Sequence, residues 1–423
     1  MAHTDRTQKI YDAVHGFIRF NELERMLIDS EPFQRLHYIH QLGIAYIVYP
    51  GATHTRFEHS LGAMELATRI FDRIAAKFPL PDTSYWQQII RLAALCHDLG
   101  HLPFSHDAEK ELLGKAGHEE WTLRVIQSDT LKPIWAQLQS HFPGRNIVQD
   151  LLKMAIGEKK LLEMGVKLSF SPVESVLSQV ITGDFFGADR IDYLLRDAQC
   201  TGVSYGLFDY HQLIEMLCVV PFEGQLQLGI EENGIESCEA LLLARHFMHK
   251  RVYQYSSVKA YKFHLAGFMK SAFSGSDHLK TLEGYLLLSD SEILTALRKA
   301  AKDKNALGHA DADSLMRREK RFKAIALKEG IGETELKEIQ AMLGIPSDGL
   351  FWELTSQKQC LKGLSFPVLT RSGRVAMAEE FSQISIPSGG LQWAYVSPEF
   401  EQAFRTRLAP IAIEEEREVP QEV

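Results

Sequence analysis
At 423 residues, with 45% hydrophobic and 24% charged side chains, the chain is long enough for a main domain of about 250 to 280 residues plus one or two smaller ones, and its composition is that of a folded soluble protein. It holds no apolar run of about 18 residues and no basic stretch leading into an apolar one at the N-terminus, so neither a membrane span nor a signal peptide is expected, and a cytoplasmic location is. The net charge of −9 weighs against a protein that coats nucleic acid, because a long phosphate backbone asks for a basic face, whereas a small polyanion in a pocket asks for only a few Lys and Arg.

Residues 11–20 read as a strand-like or turn segment, followed by a helix with apolar positions Leu23, Met26 and Leu27. Pro32 opens a helical stretch carrying Phe33, Leu36, Ile39 and Leu42, and the β-prone Tyr46-Ile47-Val48-Tyr49 precedes Pro50-Gly51. From Thr55 to Phe71 the spacing of Leu61, Met64, Leu66 and Ile70 predicts a helix on which Arg56 and His59, three apart, share a face. The apolar run Arg91–Cys96 predicts a buried helix whose end delivers the adjacent imidazole and carboxylate of His97 and Asp98, where both can turn toward one metal ion. Gly100 and Pro103 then break the helix, and His101 and His106 follow on a turn that can fold back over the same ion. A lone His-Asp pair proves little, since helices commonly end in His. Here eight of the 17 histidines fall between His37 and His118.

His118-Glu119-Glu120-Trp121 reads as a helix start with acidic residues near the positive end of the dipole, and residues 123–180 as amphipathic helices with loops at Pro143-Gly144 and Gly157-Glu158. Asp189, Tyr193 and Asp197 form one helical stripe with roughly 6 Å per step, and Arg190 stands beside it. Arg245, His249 and Tyr253 repeat the spacing. Such stripes suit a nucleotide pocket, although a solvated face carries the same pattern. Further on, residues 282–300 and 316–327 read as helices, the second with the basic set Arg317, Arg318, Lys320, Arg321 and Lys323, more a solvated face than a regulatory contact. Segments 366–368, 374–377, 384–386 and 393–396 suggest a small sheet, and 414–423 an acidic disordered tail. The expected division is a catalytic domain over 1–272, a helical extension over 273–345, a small α+β region over 346–413 and the tail. Cys96, Cys200, Cys218, Cys238 and Cys360 are odd in number and widely spaced, as expected of reduced thiols, with Cys96 a small core residue.

One His, then His-Asp, then a distant Asp is the order of the HD-domain phosphohydrolases, which the sequence resembles. Tyr11-Asp12 through His15-Gly16, Phe33–Leu36, Gln41-Leu42-Gly43, Arg56–Gly62, His97–His106 and Asp189–Asp197 resemble the deoxynucleoside triphosphate triphosphohydrolase branch, over roughly residues 8–260. The resemblance implies a mainly α fold, an HD-domain helical core with a smaller C-terminal α+β appendage. It implies a divalent ion (Mg, Mn, Fe, Zn or Ni) held by His59, His97, Asp98 and Asp189. Such an ion would lower the pKa of its water from 15.7 toward ~7 to 9 and polarise a phosphoryl oxygen. Attack on the α-phosphorus would give deoxynucleoside and inorganic triphosphate. By the same resemblance Arg56, Arg190 and Arg245 neutralise the phosphates, His101 positions the α-phosphate, and His106 or His118 protonates the leaving oxygen. Tyr193 and Asp197 touch the sugar edge, His249 and Tyr253 hold phosphate and sugar from the other side, and Gln41 and Leu42 lie near sugar and base. That branch includes a SAM-and-HD-domain enzyme of animals, and Glu109 stands where that enzyme has an Asp that orients its catalytic histidine. A homo-oligomer, dimer or tetramer, is implied. A regulatory nucleotide is implied only in part: Asp29 and Gln34 agree with that site, but His37 replaces an Arg. No SAM domain fits before residue 8. Alternative readings are a metal-dependent nuclease or phosphodiesterase on the same ion, which keeps nucleic acid open as a partner, and a nucleotide-sensing assembly protein.

Overall fold
The structure, a computed structural model, describes residues 8–114, 117–328, 330–354, 365–382, 384 and 392–408. It begins with an antiparallel hairpin, β1 (Gln8–Asp12) and β2 (Gly16–Phe20), in which Ile10 faces Ile18 and Asp12 faces Gly16. The Asp12 carboxylate accepts from the backbone N–H groups of Val14 at 2.9 Å and His15 at 2.8 Å, and Gly16 takes φ +73°. The turn is thus fixed by its own residues, and His15 is buried.

Beneath the hairpin lies a bundle of helices sharing one continuous core that runs from Ile18 to Val252 and includes Phe366, Val368 and Ala378. Glu58 accepts from the Thr55 N–H at 2.6 Å, so one long helix spans Arg56–Lys77 and places His59 one turn inside its start. Ala63, Leu66, Ala67, Ile70, Phe71 and Ile74 bury its other face. The helix Thr83–Cys96 packs against it and is buried from Leu92 to Cys96, which leaves the next residue, His97, at the inner end of the bundle. Ala188–Thr201 packs on the same helix, while Ile147–Ile156 and Pro172–Thr182 close the far side. The architecture is mainly α, with small sheets toward the C-terminus, as expected. No helix among the described residues is long and apolar enough to cross a membrane.

Several local expectations are corrected. Tyr46–Tyr49 forms no strand: Gly43–Ile47 is a tight helical turn, and Ile44 packs with Tyr261 and Leu265 instead of pairing with a neighbour. Residues 282–300 form two helices, Leu282–Leu286 and Asp290–Ala300, because Ser289 caps the second through Glu292. The helix expected over 316–327 ends at Arg317. Arg318 turns left-handed at φ 57°, and Lys323–Leu327 becomes strand β5, Ile325 pairing with Ala394.

The hairpin β3 (Leu217–Phe222) and β4 (Gln225–Glu231) is extended by β7 (Pro367–Leu369), parallel to β4, and by β8 (Val375–Met377). Segments 366–368 and 374–377 therefore belong to the main core, where Phe366 sits against Phe185 and Phe186, rather than to a separate C-terminal sheet. That smaller sheet is β5–β9–β6, with β6 at Leu350–Glu353 and β9 at Gln392–Val396. Its core joins Ile325, Leu336 and Ile339 to Leu350, Val396 and Phe404, so the boundary expected at 345 runs through one core. Ile384 is in no strand, and 385–386, Cys360 and the tail 414–423 lie outside the described residues.

Candidate metal centre
The bundle brings His59, His97, Asp98 and Asp189 to one point. His59 Nε2 lies 3.3 Å from His97 Nε2, 3.5 Å from Asp98 Oδ2 and 3.1 Å from Asp189 Oδ1, and His97 Nε2 lies 3.4 Å from Asp98 Oδ1 and 3.6 Å from Asp189 Oδ1. The other ring nitrogens settle the tautomers. His97 Nδ1 faces the Ala94 carbonyl at 2.7 Å and His59 Nδ1 the Asp192 carboxylate at 2.8 Å, both acceptors, so each Nδ1 donates. With each Nδ1 carrying the proton of a neutral ring, the two Nε2 lone pairs converge, an arrangement that asks for a cation between them. Two nitrogens and two carboxylates suit a divalent transition ion, and a carboxylate behind a ligating histidine is how such rings are oriented. Without an ion, burial opposes a charged His59, but Asp189 and Asp192 outweigh it and hold the imidazolium up to about 10. For Asp98 burial is likewise opposed, chiefly by the Arg56 guanidinium, and the carboxyl is held well below its usual range.

Asp192 was not picked out by sequence reasoning. It is fully buried and accepts from His15 Nε2 at 2.7 Å, His59 Nδ1 at 2.8 Å and Arg196 Nε at 2.9 Å, while Arg196 Nη1 reaches Asp12 at 2.7 Å. The only signal was spacing: Asp192 is three residues from Asp189 and four from Arg196 on one helix. Space for this carboxylate exists because residue 62 is glycine. A Cβ there would lie 2.8 Å from Asp192 Cγ, and closer still to Asp192 Oδ1 and Arg196 Nη2.

Beside the centre stands a second cluster. Glu109 bridges two rings, with Oε2 facing His106 Nδ1 and Oε1 taking His118 Nδ1 at 2.8 Å and the His118 backbone N–H at 2.6 Å. Glu109 therefore reaches both histidines at once. Burial opposes its charge, but these bonds hold its carboxyl far below the usual range. His101 stacks on His118 at 3.6 Å and has Nε2 3.1 Å from Asp98 Oδ1; burial, then the Arg56 and His118 charges, keep it neutral. Gly100 lets the turn close on the His118 helix, since a Cβ there would lie 2.7 Å from Thr122 Oγ1 and nearer to Thr122 N and the His118 carbonyl.

Both clusters open on a cavity of about 1130 Å³. Gln41, Leu42, Arg56, His97, Asp98, His101, His106, His118, Asp189, Tyr193, Asp197, His249 and Tyr253 line it. Arg56 is tied to Asp98 and, at 2.8 Å, to Ser105 Oγ. Gln41 Oε1 is buried without a partner among the described residues. The Tyr253 hydroxyl donates to Asp197 Oδ2 at 2.8 Å, and its ring meets Tyr193 edge-on with centroids 6.1 Å apart. The helix carrying Arg245 ends at Met248 and continues as a wider turn over His249–Tyr253, so the expected stripe changes pitch at His249. Burial, then Arg245 and Arg190, lower His249 to about 3, which leaves it neutral. Arg190 and Arg245 stand off the cavity lining. Arg190 Nε and Nη1 are buried without a hydrogen-bond partner among the described residues, and the Arg245 pKa is lowered by burial and then by Arg190.

Residues 56–162 match the family described as HD domain, and residues 208–343 the HD associated region. The crystal structure of a hypothetical protein from Aquifex aeolicus is 32% identical and superposes with a TM-score of 0.76 over 95% of this chain and 100% of that one. The chain belongs to the HD-domain family. The candidate ligands His97 and Asp98 lie inside the HD match, which starts at Arg56, while Asp189 falls between the two matched regions. A phosphohydrolase from Bacteroides thetaiotaomicron, 25% identical, superposes on this HD protein with a TM-score of 0.71 over 92% of the chain and 99% of its own. The human deoxynucleoside triphosphate triphosphohydrolase SAMHD1 is 32% identical over 272 residues, 60% of this chain and 42% of its own length. The chain spans about half the length of the curated relatives it matches, from 46% to 55% for the first three.

Proposed function
We propose that this HD protein is a metal-dependent deoxynucleoside triphosphate triphosphohydrolase, cleaving between the 5′ oxygen and the α-phosphorus to give deoxynucleoside and inorganic triphosphate. The observation that carries the reading is the convergence of the His59 and His97 Nε2 atoms with two carboxylates beside a cavity whose lining also holds Tyr193, Asp197 and Tyr253. The similarity to human SAMHD1, whose name states this activity, supports it.

A divalent ion held by His59, His97, Asp98 and Asp189 would activate water and polarise the phosphoryl oxygen. Arg56, already against Asp98, would meet the α-phosphate, and the unsatisfied Arg190 donors, with Arg245 nearby, would turn to the outer phosphates on binding. His101, kept neutral, would position the α-phosphate. As the activated water, its proton released to solvent, bonds through oxygen to phosphorus and the P–O5′ bond breaks, His106 or His118 in its imidazolium form would give its Nε2 proton to O5′, with Glu109 holding both rings at Nδ1–H so that each presents Nε2 to the cavity. Tyr193, Asp197 and Gln41 would bond the sugar 3′-hydroxyl, Leu42 and His249 would line the sugar and base, and Tyr253 would fill the space a 2′-hydroxyl needs. The test is to incubate metal-loaded protein with each dNTP, alone and in mixtures, and identify the products. Release of triphosphate supports the reading, and pyrophosphate, phosphate or no product sinks it. Acceleration in mixtures would reveal a regulatory nucleotide, and sizing with and without dNTP would show whether the active form is a dimer or tetramer.

A further inference from the structure
His54 lies outside every motif with an assigned task, yet two of the proposed sugar-reading residues, Asp197 and Gln41, bond to it, and a third, Tyr253, shares its carboxylate partner. Its Nε2 donates to Asp197 Oδ1 at 2.7 Å, with side chains only 5% and 2% exposed. The other oxygen of the same carboxylate, Oδ2, takes the Tyr253 hydroxyl at 2.8 Å. The His54 carbonyl accepts from the Gln41 backbone N–H at 3.0 Å, and His40 bridges Thr55 next to it. The loop itself is seated tightly on the end of the Ala188–Thr201 helix, because a Cβ on Gly51 would collide with the Cys200 carbonyl.

A carboxylate gripped at one oxygen can still swing about the bond to its carboxyl carbon, whereas one gripped at both has a fixed plane. Its remaining lone pairs then have fixed directions. We propose that His54 is the positioning residue for sugar recognition, aligning Asp197 toward the 3′-hydroxyl and fixing the backbone of Gln41, which also lines the cavity. This inference rests on the triphosphohydrolase reading. His54 touches no substrate atom; it acts through Asp197.

The test compares the 2′-deoxy, 2′,3′-dideoxy and ribo forms of one nucleoside triphosphate on the metal-loaded full chain, for wild type, His54→Ala and His54→Gln. Losing a well-aligned partner for a buried hydroxyl is worth roughly tenfold or more in kcat/KM, so wild type should favour deoxy over dideoxy by at least that. His54→Ala should bring the ratio to within about twofold, mainly through KM, with bound metal unchanged. His54→Gln, whose amide places an N–H near the Nε2 position, should restore much of it. An unchanged ratio in His54→Ala overturns the assignment while leaving the enzyme reading intact. So does an equal loss of both substrates, or of metal, in both variants, which would make His54 merely structural. Absence of turnover by wild type removes the reading, and this inference with it.

Discussion
Replacing Gly62 by Ala is the sharpest test of how the candidate metal centre is held. In an ordinary helix the change would stabilise by about 1 kcal/mol, because alanine is the better helix former. Here the new Cβ would stand 2.8 Å from Asp192 Cγ and closer to Asp192 Oδ1 and Arg196 Nη2, in a place where both side chains are buried and hydrogen-bonded. The far end of a surface side chain would move aside cheaply. Asp192 cannot, because His15, His59 and Arg196 all grip it, and Arg196 is held in turn by Asp12. Disrupting a buried ion pair costs roughly 3–5 kcal/mol, so the net expectation is a loss of about 2–4 kcal/mol. His59 would also lose the carboxylate that fixes its tautomer, which typically lowers metal affinity about 10- to 100-fold. Urea denaturation of the metal-free protein would read the first effect and chelator competition the second. A Gly62→Ala protein as stable as wild type, with the same metal affinity, would refute the role given to Asp192.

Three further outcomes are expected. Glu109→Gln should lower kcat by about 10²-fold or more with metal content unchanged, since its carboxylate bonds to the His106 and His118 rings and the His118 backbone N–H and to none of the four candidate ligands; loss of metal would instead place Glu109 in the ion's own support. Tyr253→Ala should narrow the preference for dNTP over NTP by removing bulk, whereas Tyr253→Phe should keep that preference and lose only the bond to Asp197, and matched kcat/KM values for both substrates separate the two. Burial disfavours a charged His54, but the Asp197 carboxylate outweighs it and raises the imidazole from 6.5 to about 9. A raised folded pKa means that the stabilisation, on the order of 3 kcal/mol, is fully present below pH 6.5 and is lost as pH rises through 9. Stability measured from pH 6 to 10 should therefore fall less steeply in His54→Gln than in wild type, and identical slopes would show that His54 does not titrate this way.

Why some of this was readable in the sequence and some was not comes down to the distance over which each residue finds its partner. His59 and His97 announce themselves because they sit where local signals are strongest, one turn inside a capped helix start and directly after a buried helix end. Asp189, Tyr193 and Asp197 declare a shared face by spacing alone. Asp192 lies on that same helix, but its meaning comes from His15, 177 residues away, and from a glycine on a second helix, neither of which any local pattern reports. The misread segments failed for a related reason. Residues 323–327 have no strand neighbour until 392–396, and without that partner their composition suits a helix equally well. Tyr46–Tyr49 erred in the opposite direction: β-prone side chains were present, but the segment pairs with no strand among the described residues and turns instead, packing its apolar groups on the Ser256–Phe273 helix. The same logic places His54. Nothing within its own loop marks it, and its bonds to Asp197 and Gln41 form only when the fold closes around it, which is how a residue proposed to bind no substrate atom would decide which sugar the cavity accepts.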